Sequence, residues 1–283
     1  MPLGVVTALL LHMLERGRID GALVSRRDSA FSRQPLVATT REEIISAAGS
    51  QFAGASHLEQ LGGQYTTYTP SISAVKGLAG QRLRKVAMVG TPCQINTVRK
   101  MQCLSIVPSD AIVFTVGLFC MENFSFGERS RGKLEKRLGI SFERVVKLNI
   151  KEEFLITLDD GGVFSVPLGE LEELARPACL ACTEFANDYA DVSLGGLGSP
   201  EGYTTTLVRS DLGRRMYGEA LAAGCLEERQ YSSSEEMRRD KAEMLAKVTS
   251  WARFKEQRGQ ARRRELRGGR SVPEARASGR ALT

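Results

Sequence analysis

The chain has 283 residues, 42% hydrophobic and 25% charged, which suits one large globular domain or two closely joined ones. Its formal charge of +6 gathers at one end: residues 253–283 hold ten Arg or Lys and three Glu, a net +7, so the body stands at −1. A near-neutral body with a basic tail argues against a nucleic-acid surface, and Phe254 is the last aromatic residue in that tail, so it offers no base-stacking platform.

The opening stretch, MPLGVVTALLLHMLERG, has an apolar middle but neither a basic leader nor a small-residue cleavage site. It reads as an amphipathic helix over Leu3–Arg16 rather than an export signal. No apolar run approaches the roughly 20 residues that span a bilayer, so the expected location is the cytoplasm, without a transmembrane segment. IDGALVS reads as a strand. TTREEIISAAG carries a threonine cap, acids in its first turn and a stop at Gly49, the signature of a short helix. GSQFAGASH reads as a loop, Ser71–Leu83 as a helix and KVAMVG as a short buried strand. QINTVRKMQ is a helix with Pro92 where a helix tolerates proline, and AIVFTVGLFC is a second apolar strand. After Gly139 the runs RVVKLNI, EFLITLDD and VFSVPL form a meander with Asp160-Gly161-Gly162 at a hairpin turn. CLACTEFANDY reads as a short helix or turn, ADVSLGGLGS as a strand entering a glycine-rich loop, and YTTTLVRS as a strand. A helix over Leu212–Ala223 and a long polar helix near Ser234–Gln257 precede the basic tail, read as a frayed, solvated end. The expected fold is α/β: a mixed sheet flanked by helices, with an inserted antiparallel β meander, in a single compact unit plus a C-terminal helix and tail. The expected regions are 1–138, an α/β part; 139–230, with the meander, C-x-x-C and glycine-rich loop; and 231–283, helix and basic tail.

Six cysteines are present and no disulfide framework is expected in a reducing compartment. Cys179 and Cys182 form a C-x-x-C pair, a spacing that turns two thiolates toward one centre. A thioredoxin-like redox pair is the poorer fit, because ELARPA precedes it rather than a strand. Cys93 follows VAMVGTP and Cys120 ends IVFTVGLFC. Strands of an α/β sheet put their carboxyl ends on one edge, where ligands bind, so Cys93, Cys120, Cys179 and Cys182 together could hold a 4Fe-4S cluster. Zinc is the rival occupant, although ligands spread over about 90 residues and lodged at strand ends are less typical of structural zinc. Cys103 and Cys225 read as buried or partly buried thiols.

The loop GGLGSPEGYTT follows a strand, and its glycines, with Ser199 and Thr204, could approach a phosphate or a flavin edge. It is neither G-x-G-x-x-G nor a Walker loop. Only two histidines exist, His12 and His57, and neither has the partner spacing of a nucleophilic triad. Scarce histidine points to a cofactor that carries the chemistry.

In this order, GVVTALLLHMLERGRIDGALV, REEIISAAGSQF, VGTPCQINTVRKM, GLFCMENFSF and ARPACLACTEFANDYADVSLGGLGSPEGYTTTLVRSDLG resemble the beta subunit family of coenzyme F420-reducing hydrogenase and F420-linked formate dehydrogenase, with 7-hydroxymethyl chlorophyll a reductase a relative. The likeness runs from about Gly4 to Leu221. It implies an oxidoreductase subunit, an iron–sulfur flavoprotein that relays electrons between a hydrogenase, formate dehydrogenase or other redox subunit, or ferredoxin, and a hydride carrier such as coenzyme F420. Its implied cofactors are FAD and one 4Fe-4S cluster. The implied cluster ligands are Cys93, Cys120, Cys179 and Cys182, and the implied flavin contacts Ser50, Thr91, Pro92, Gln94, Asn123, Gly198, Ser199 and Gly202. No catalytic side chain is implied, and Met88, Phe119 and Phe124 fall to core or pocket wall. Three departures stand out. Leu3-Gly4 replaces a G-G pair and a longer start, so a truncated N-terminus is expected. The extra ferredoxin-like cysteines of many relatives are absent. GSQF, with Gln51, stands where G-S-K-Y is usual, which removes a cation. The alternative to an electron relay is a four-cysteine, zinc-stabilised, non-catalytic adaptor. A basic-tailed nucleic-acid binder ranks behind both.

Overall fold

The computed structural model describes residues 4–29, 32–49, 71–124, 128–150, 153–200 and 202–268. In chain order the elements are α1 (Val5–Glu15), β1 (Gly21–Ser29), β2 (Ser32–Ala38), α2 (Arg41–Ser46), α3 (Ser71–Gly77), β3 (Val86–Gly90), α4 (Pro92–Cys103), β4 (Ile112–Leu118), α5 (Glu128–Leu138), β5 (Val145–Ile150), β6 (Phe154–Leu158), β7 (Val163–Val166), α6 (Pro177–Leu180), β8 (Val192–Gly195), β9 (Thr205–Val208), α7 (Asp211–Ala222) and α8 (Ser234–Gly268).

A six-stranded sheet runs β2-β1-β3-β4-β8-β9. Its four inner strands are parallel, and β2 and β9 close the edges antiparallel. The period of two along β3 explains the layers. Val86 and Met88 face a core shared with Val75, Leu78, Ile95 and Val98 from the α3–α4 side. Ala87 and Val89 face the opposite core, where Leu9, Leu10 and Met13 of α1 meet Met216 and Ala220 of α7. A buried polar tie holds β4 to β8. One carboxylate oxygen of Asp191 accepts from the Thr115 N–H and O–H, both at 2.8 Å, and from Arg99 at 3.0 Å; the other accepts from Ser210 at 2.7 Å. Such a network is stable only when its members are satisfied together.

A separate antiparallel sheet, β5-β6-β7, is inserted between β4 and β8. Phe154, Ile156 and Leu158 alternate inward along β6 against Phe124, Phe142 and Leu171. The turn is the expected one. Gly161 has φ +84°, and Asp160 Oδ1 accepts the Gly162 N–H at 2.8 Å. The main sheet takes β8 and β9 from beyond the meander, so the two sheets interleave along the chain.

Four departures from the sequence reading have physical causes. β2 is a strand despite Pro35 and three polar residues, because it is an edge strand paired only to β1, where proline is tolerated. α5 is a strongly charged helix that escapes a hydrophobic-period reading. α3 ends at Gly77, short of Leu83. The basic end is no frayed tail as far as Gly268. α8 is one 35-residue helix, about 50 Å long at 1.5 Å per residue. Val248 at its middle is buried with Phe185, and Trp251 of the same helix lies against Phe185, ring centroids 6.2 Å apart. Tertiary packing of one face, rather than the basic sequence, sustains that helix. Among the described residues no helix is long and apolar enough to cross a membrane.

Candidate functional site

The carboxyl ends of β3, β4 and β8 converge on one edge of the main sheet. At β3, Gly90 hands over to Thr91, and α4 starts with Pro92 in its first turn. The Thr91 N–H donates to Gln94 Oε1 at 2.9 Å, and Gln94 Nε2 donates to Ser71 Oγ at 3.0 Å. The Thr91 and Gln94 side chains, both buried, therefore cap α4 and tie it to α3. Cys93 is exposed beside them, its Sγ 3.3 Å from Thr91 Oγ1. At β4, Phe119 donates its N–H to Leu194 O at 2.8 Å and Cys120 to Phe185 O at 3.0 Å, which sews the strand end to β8 and to the C-x-x-C loop.

That loop is built on α6, whose Pro177 starts its one turn. Cys179 Sγ accepts the Asn123 N–H at 3.4 Å, the Cys182 N–H donates to Cys179 O at 3.1 Å, and Cys182 Sγ lies 3.7 Å from Glu184 O. Burial pushes the Cys120 thiol up to about 12; the Lys255 ammonium opposes that rise, while Cys179, Cys93 and Cys182 add to it. Burial also raises Cys179, against the Asn123 N–H, Arg176 and Lys255, with Cys93 reinforcing it. Cys93 thus stands in the first turn of α4 and Cys120 just past β4, with the C-x-x-C pair on the loop that the Cys120 and Asn123 N–H groups bind. Among the described residues, however, no three His, Cys, Asp or Glu side chains gather tightly enough to hold a single metal ion. The donor set, four soft sulfurs without imidazole, fits an iron–sulfur cluster or zinc by its chemistry.

Asn187 lies at the centre of the edge and is absent from the sequence-derived set. It is fully buried with φ +61°, a left-handed conformation that asparagine tolerates better than most residues. Its Nδ2 donates to Gly90 O at 2.9 Å and lies 3.4 Å from Leu118 O, joining the ends of β3 and β4. Gly117 makes the room: a Cβ there would lie 2.4 Å from Asn187 Cγ. Asn187 Oδ1 is buried with no hydrogen-bond partner among the described residues, an acceptor suited to an N–H of a bound ring.

The glycine-rich loop is shaped mainly by close approaches. A Cβ on Gly195 would lie 2.5 Å from the Phe119 ring, and Gly198, at φ +84°, sits against Met244 of α8. Ser199 Oγ is 2.6 Å from Thr205 Oγ1, which in turn donates to Leu197 O. Gly202, at φ +85°, faces open space. The buried Asn123 belongs to the frame of the cysteine loop, since its carbonyl also accepts the Arg176 N–H at 3.0 Å. Ser50 and Gln51 lie outside the described residues. Cys103 and Cys225 are exposed rather than buried, a correction to the sequence reading. Cys103 closes α4 on its solvent side, and Cys225 follows the turn at Gly224 that ends α7, so apolar neighbours in sequence did not carry either inward.

α8 lies across the same loops. Lys255 is 1% exposed and its ammonium donates to the Cys120 carbonyl. One turn on, a Cβ on Gly259 would meet Cys182 O at 2.4 Å. A further turn on, Arg263 Nε donates to Ala181 O at 2.8 Å. Arg258 pairs with the buried Glu122 carboxylate at 3.2 Å. The missed residues carry signals visible only afterwards: an asparagine before an aspartate in a turn (Asn187-Asp188), and Lys, Gly and Arg at i, i+4 and i+8 in an otherwise polar helix.

Comparison with known proteins agrees with this frame. Residues 4–61 match the family described as coenzyme F420 hydrogenase/dehydrogenase, beta subunit N-term, and residues 83–234 match the companion family for the C terminus of the same beta subunit. The chain is 34% identical to the coenzyme F420 hydrogenase subunit beta of Methanosarcina barkeri, over 79% of this chain and 74% of that one. It is 33% identical to the coenzyme F420-dependent sulfite reductase of Methanocaldococcus jannaschii, over 75% of this chain but 33% of that larger protein. A chain of the F420-reducing [NiFe] hydrogenase complex from Methanosarcina barkeri superposes with a TM-score of 0.78 at 30% identity, covering 94% of this chain and 86% of that one. The chain belongs to the coenzyme F420 hydrogenase/dehydrogenase beta subunit family, a family of oxidoreductase subunits.

Proposed function

We propose that this chain is an F420-linked redox subunit, and more specifically an iron–sulfur flavoprotein that relays electrons between a partner redox subunit or ferredoxin and coenzyme F420 or another hydride carrier. The observation that carries the reading is the placement of Cys93 in the first turn of α4 after β3 and Cys120 just past β4, with Cys179 Sγ accepting the N–H of Asn123 three residues on from Cys120. In this reading those four thiolates hold one 4Fe-4S cluster. Zinc is the rival occupant of four thiolates, but ligands spread over about 90 residues and lodged at strand ends are less typical of a structural zinc site. The proposed flavin is FAD, set along the Thr91-Pro92 turn and the Gly198–Gly202 loop, with Asn187 Oδ1, which has no hydrogen-bond partner among the described residues, as an added acceptor. When bound, the pair supplies the exchange between one-electron and hydride chemistry. The protein's own part is positional: Asn187 fixes the two strand ends, the Cys120 and Asn123 backbone bonds fix the loop, and the Phe119, Phe185 and Trp251 rings pack on one another between β4, the cysteine loop and α8. A reducing cytoplasm is the proposed setting, since it keeps the thiols available.

Anaerobic purification of the full chain, followed by an absorption spectrum and assays for iron, sulfide, flavin and zinc, tests the reading. The expected result is about four iron and four sulfide per chain, a flavin band that bleaches with dithionite, and return of that band on adding oxidised F420. A colourless, zinc-loaded chain after anaerobic reconstitution would instead support the adaptor alternative.

A further inference from the structure

Lys255 is the feature that the relay as described leaves unused. It sits on α8, beyond the family match that ends at residue 234, yet its side chain is buried. Among the described residues no carboxylate pairs with it. The nearby Glu122 is engaged by Arg258 at 3.2 and 3.5 Å. Burying an ammonium without an anion is costly unless another negative group faces it. The group that faces it is Cys120, whose carbonyl its ammonium binds.

Its position is also enforced. Gly259, one turn further along α8, lets the helix press on the Cys182 carbonyl, and Arg263, a turn beyond that, holds the Ala181 carbonyl. Residues 255, 259 and 263 thus form one stripe that registers the helix on the C-x-x-C loop and holds the ammonium where it is.

We propose that Lys255 is a positioning residue for the cysteine centre: delivered by α8, its ammonium is a fixed counter-charge that stabilises the more negative, reduced state of a cluster held by Cys93, Cys120, Cys179 and Cys182. This inference rests on the four-cysteine reading above. A cation in a low-dielectric site favours added negative charge more strongly than the same cation in water, and charge and hydrogen bonding around a cluster set its potential.

The test uses the full chain, reconstituted anaerobically with iron and sulfide, as wild type, Lys255→Gln, Lys255→Met and Lys255→Arg. Iron and sulfide are counted first, and the midpoint potential is then read by EPR-monitored titration on the loaded fraction, so partial iron loss leaves the reading intact. Lys255→Gln keeps a donor for the Cys120 carbonyl and removes only the charge. It should keep its cluster and lower the equilibrium constant for reduction by ten- to a hundredfold, about 60–120 mV for one electron at 59 mV per tenfold. Lys255→Met should do the same, and Lys255→Arg should stay near wild type. An unchanged potential in Lys255→Gln overturns the proposal. So does complete loss of iron in both neutral variants, which would make Lys255 part of the frame alone. A wild type without a cluster would instead remove the four-cysteine reading, and this inference with it.

Discussion

The carboxyl edge of the six-stranded sheet and the three-stranded sheet inserted beside it are made of similar strands but filled differently. Around β6 the interior is wholly apolar: Phe154 packs edge-on against Phe124, centroids 5.4 Å apart, and the polar groups of the hairpin remain in water. The edge instead carries a buried asparagine at positive φ, a buried lysine, three glycines under close approach and the four cysteines of the proposed site. The first arrangement is what packing alone produces. The second carries polar groups and tight backbone contacts that packing would not select, and such departures gather where a site is built.

Four changes would break or sharpen that contrast. The largest effect is expected from Cys182→Ser, which should remove most of the bound iron after anaerobic reconstitution, whereas the exposed Cys225→Ser should leave it unchanged. Equal iron in both would undo the ligand assignment. Next, Phe154→Ala empties the centre of the small sheet and should cost about 3–5 kcal/mol in denaturant unfolding, yet the fraction that stays folded should keep its full iron and flavin. Loss of cofactor in that fraction would mean that the two regions are not separate in role.

Gly117→Ala should be smaller in stability but sharper at the site. A methyl there overlaps Asn187, and overpacking costs about 1–3 kcal/mol. Flavin content should fall more than the loss of stability alone would explain, as a fluorescence titration of released flavin would reveal.

The smallest effect lies in the exposed hairpin. The Gly162 N–H and the Arg144 guanidinium hold Asp160 below the ordinary carboxylate range. Its folded value is depressed, so its contribution to stability is present above the unfolded value, near 3.8, and is lost as pH falls through the lower folded value. Asp160→Asn should therefore unfold slightly more easily at neutral pH and converge with wild type in acid. It should leave iron content alone, because the hairpin is far from the edge in role and open to water. A change in iron would contradict the comparison directly.

Much of this was legible beforehand because the signals are local. KVAMVG and AIVFTVGLFC announce buried strands, Asp160-Gly161-Gly162 a hairpin, and Thr40 with Glu43 a helix start; each arose where expected. The placement of Cys93 and Cys120 just past strand ends was legible too, since the carboxyl ends of a parallel sheet's strands share an edge whatever the intervening chain does. β2 was not, because its pairing with β1 overrides a proline and polar side chains. Cys103 and Cys225 were misjudged because burial depends on which side of a helix or turn faces the protein, not on apolar neighbours in sequence.

The sequence by itself determined most of the elements and the family likeness, because those rest on short-range pattern and on motif order. Only the tertiary structure decided three further points. Asn187 joins β3 to β4 through the space left by Gly117. The hydroxyl of Ser199, read from sequence as a ligand donor, is engaged within its own loop. The basic C-terminal segment, read as solvated, winds into α8 and brings Lys255 onto the Cys120 carbonyl. Each is a contact between residues distant in sequence or a choice among local partners, and neither composition nor period encodes which of many polar groups will be buried. Burial is settled by the shape of the packed whole.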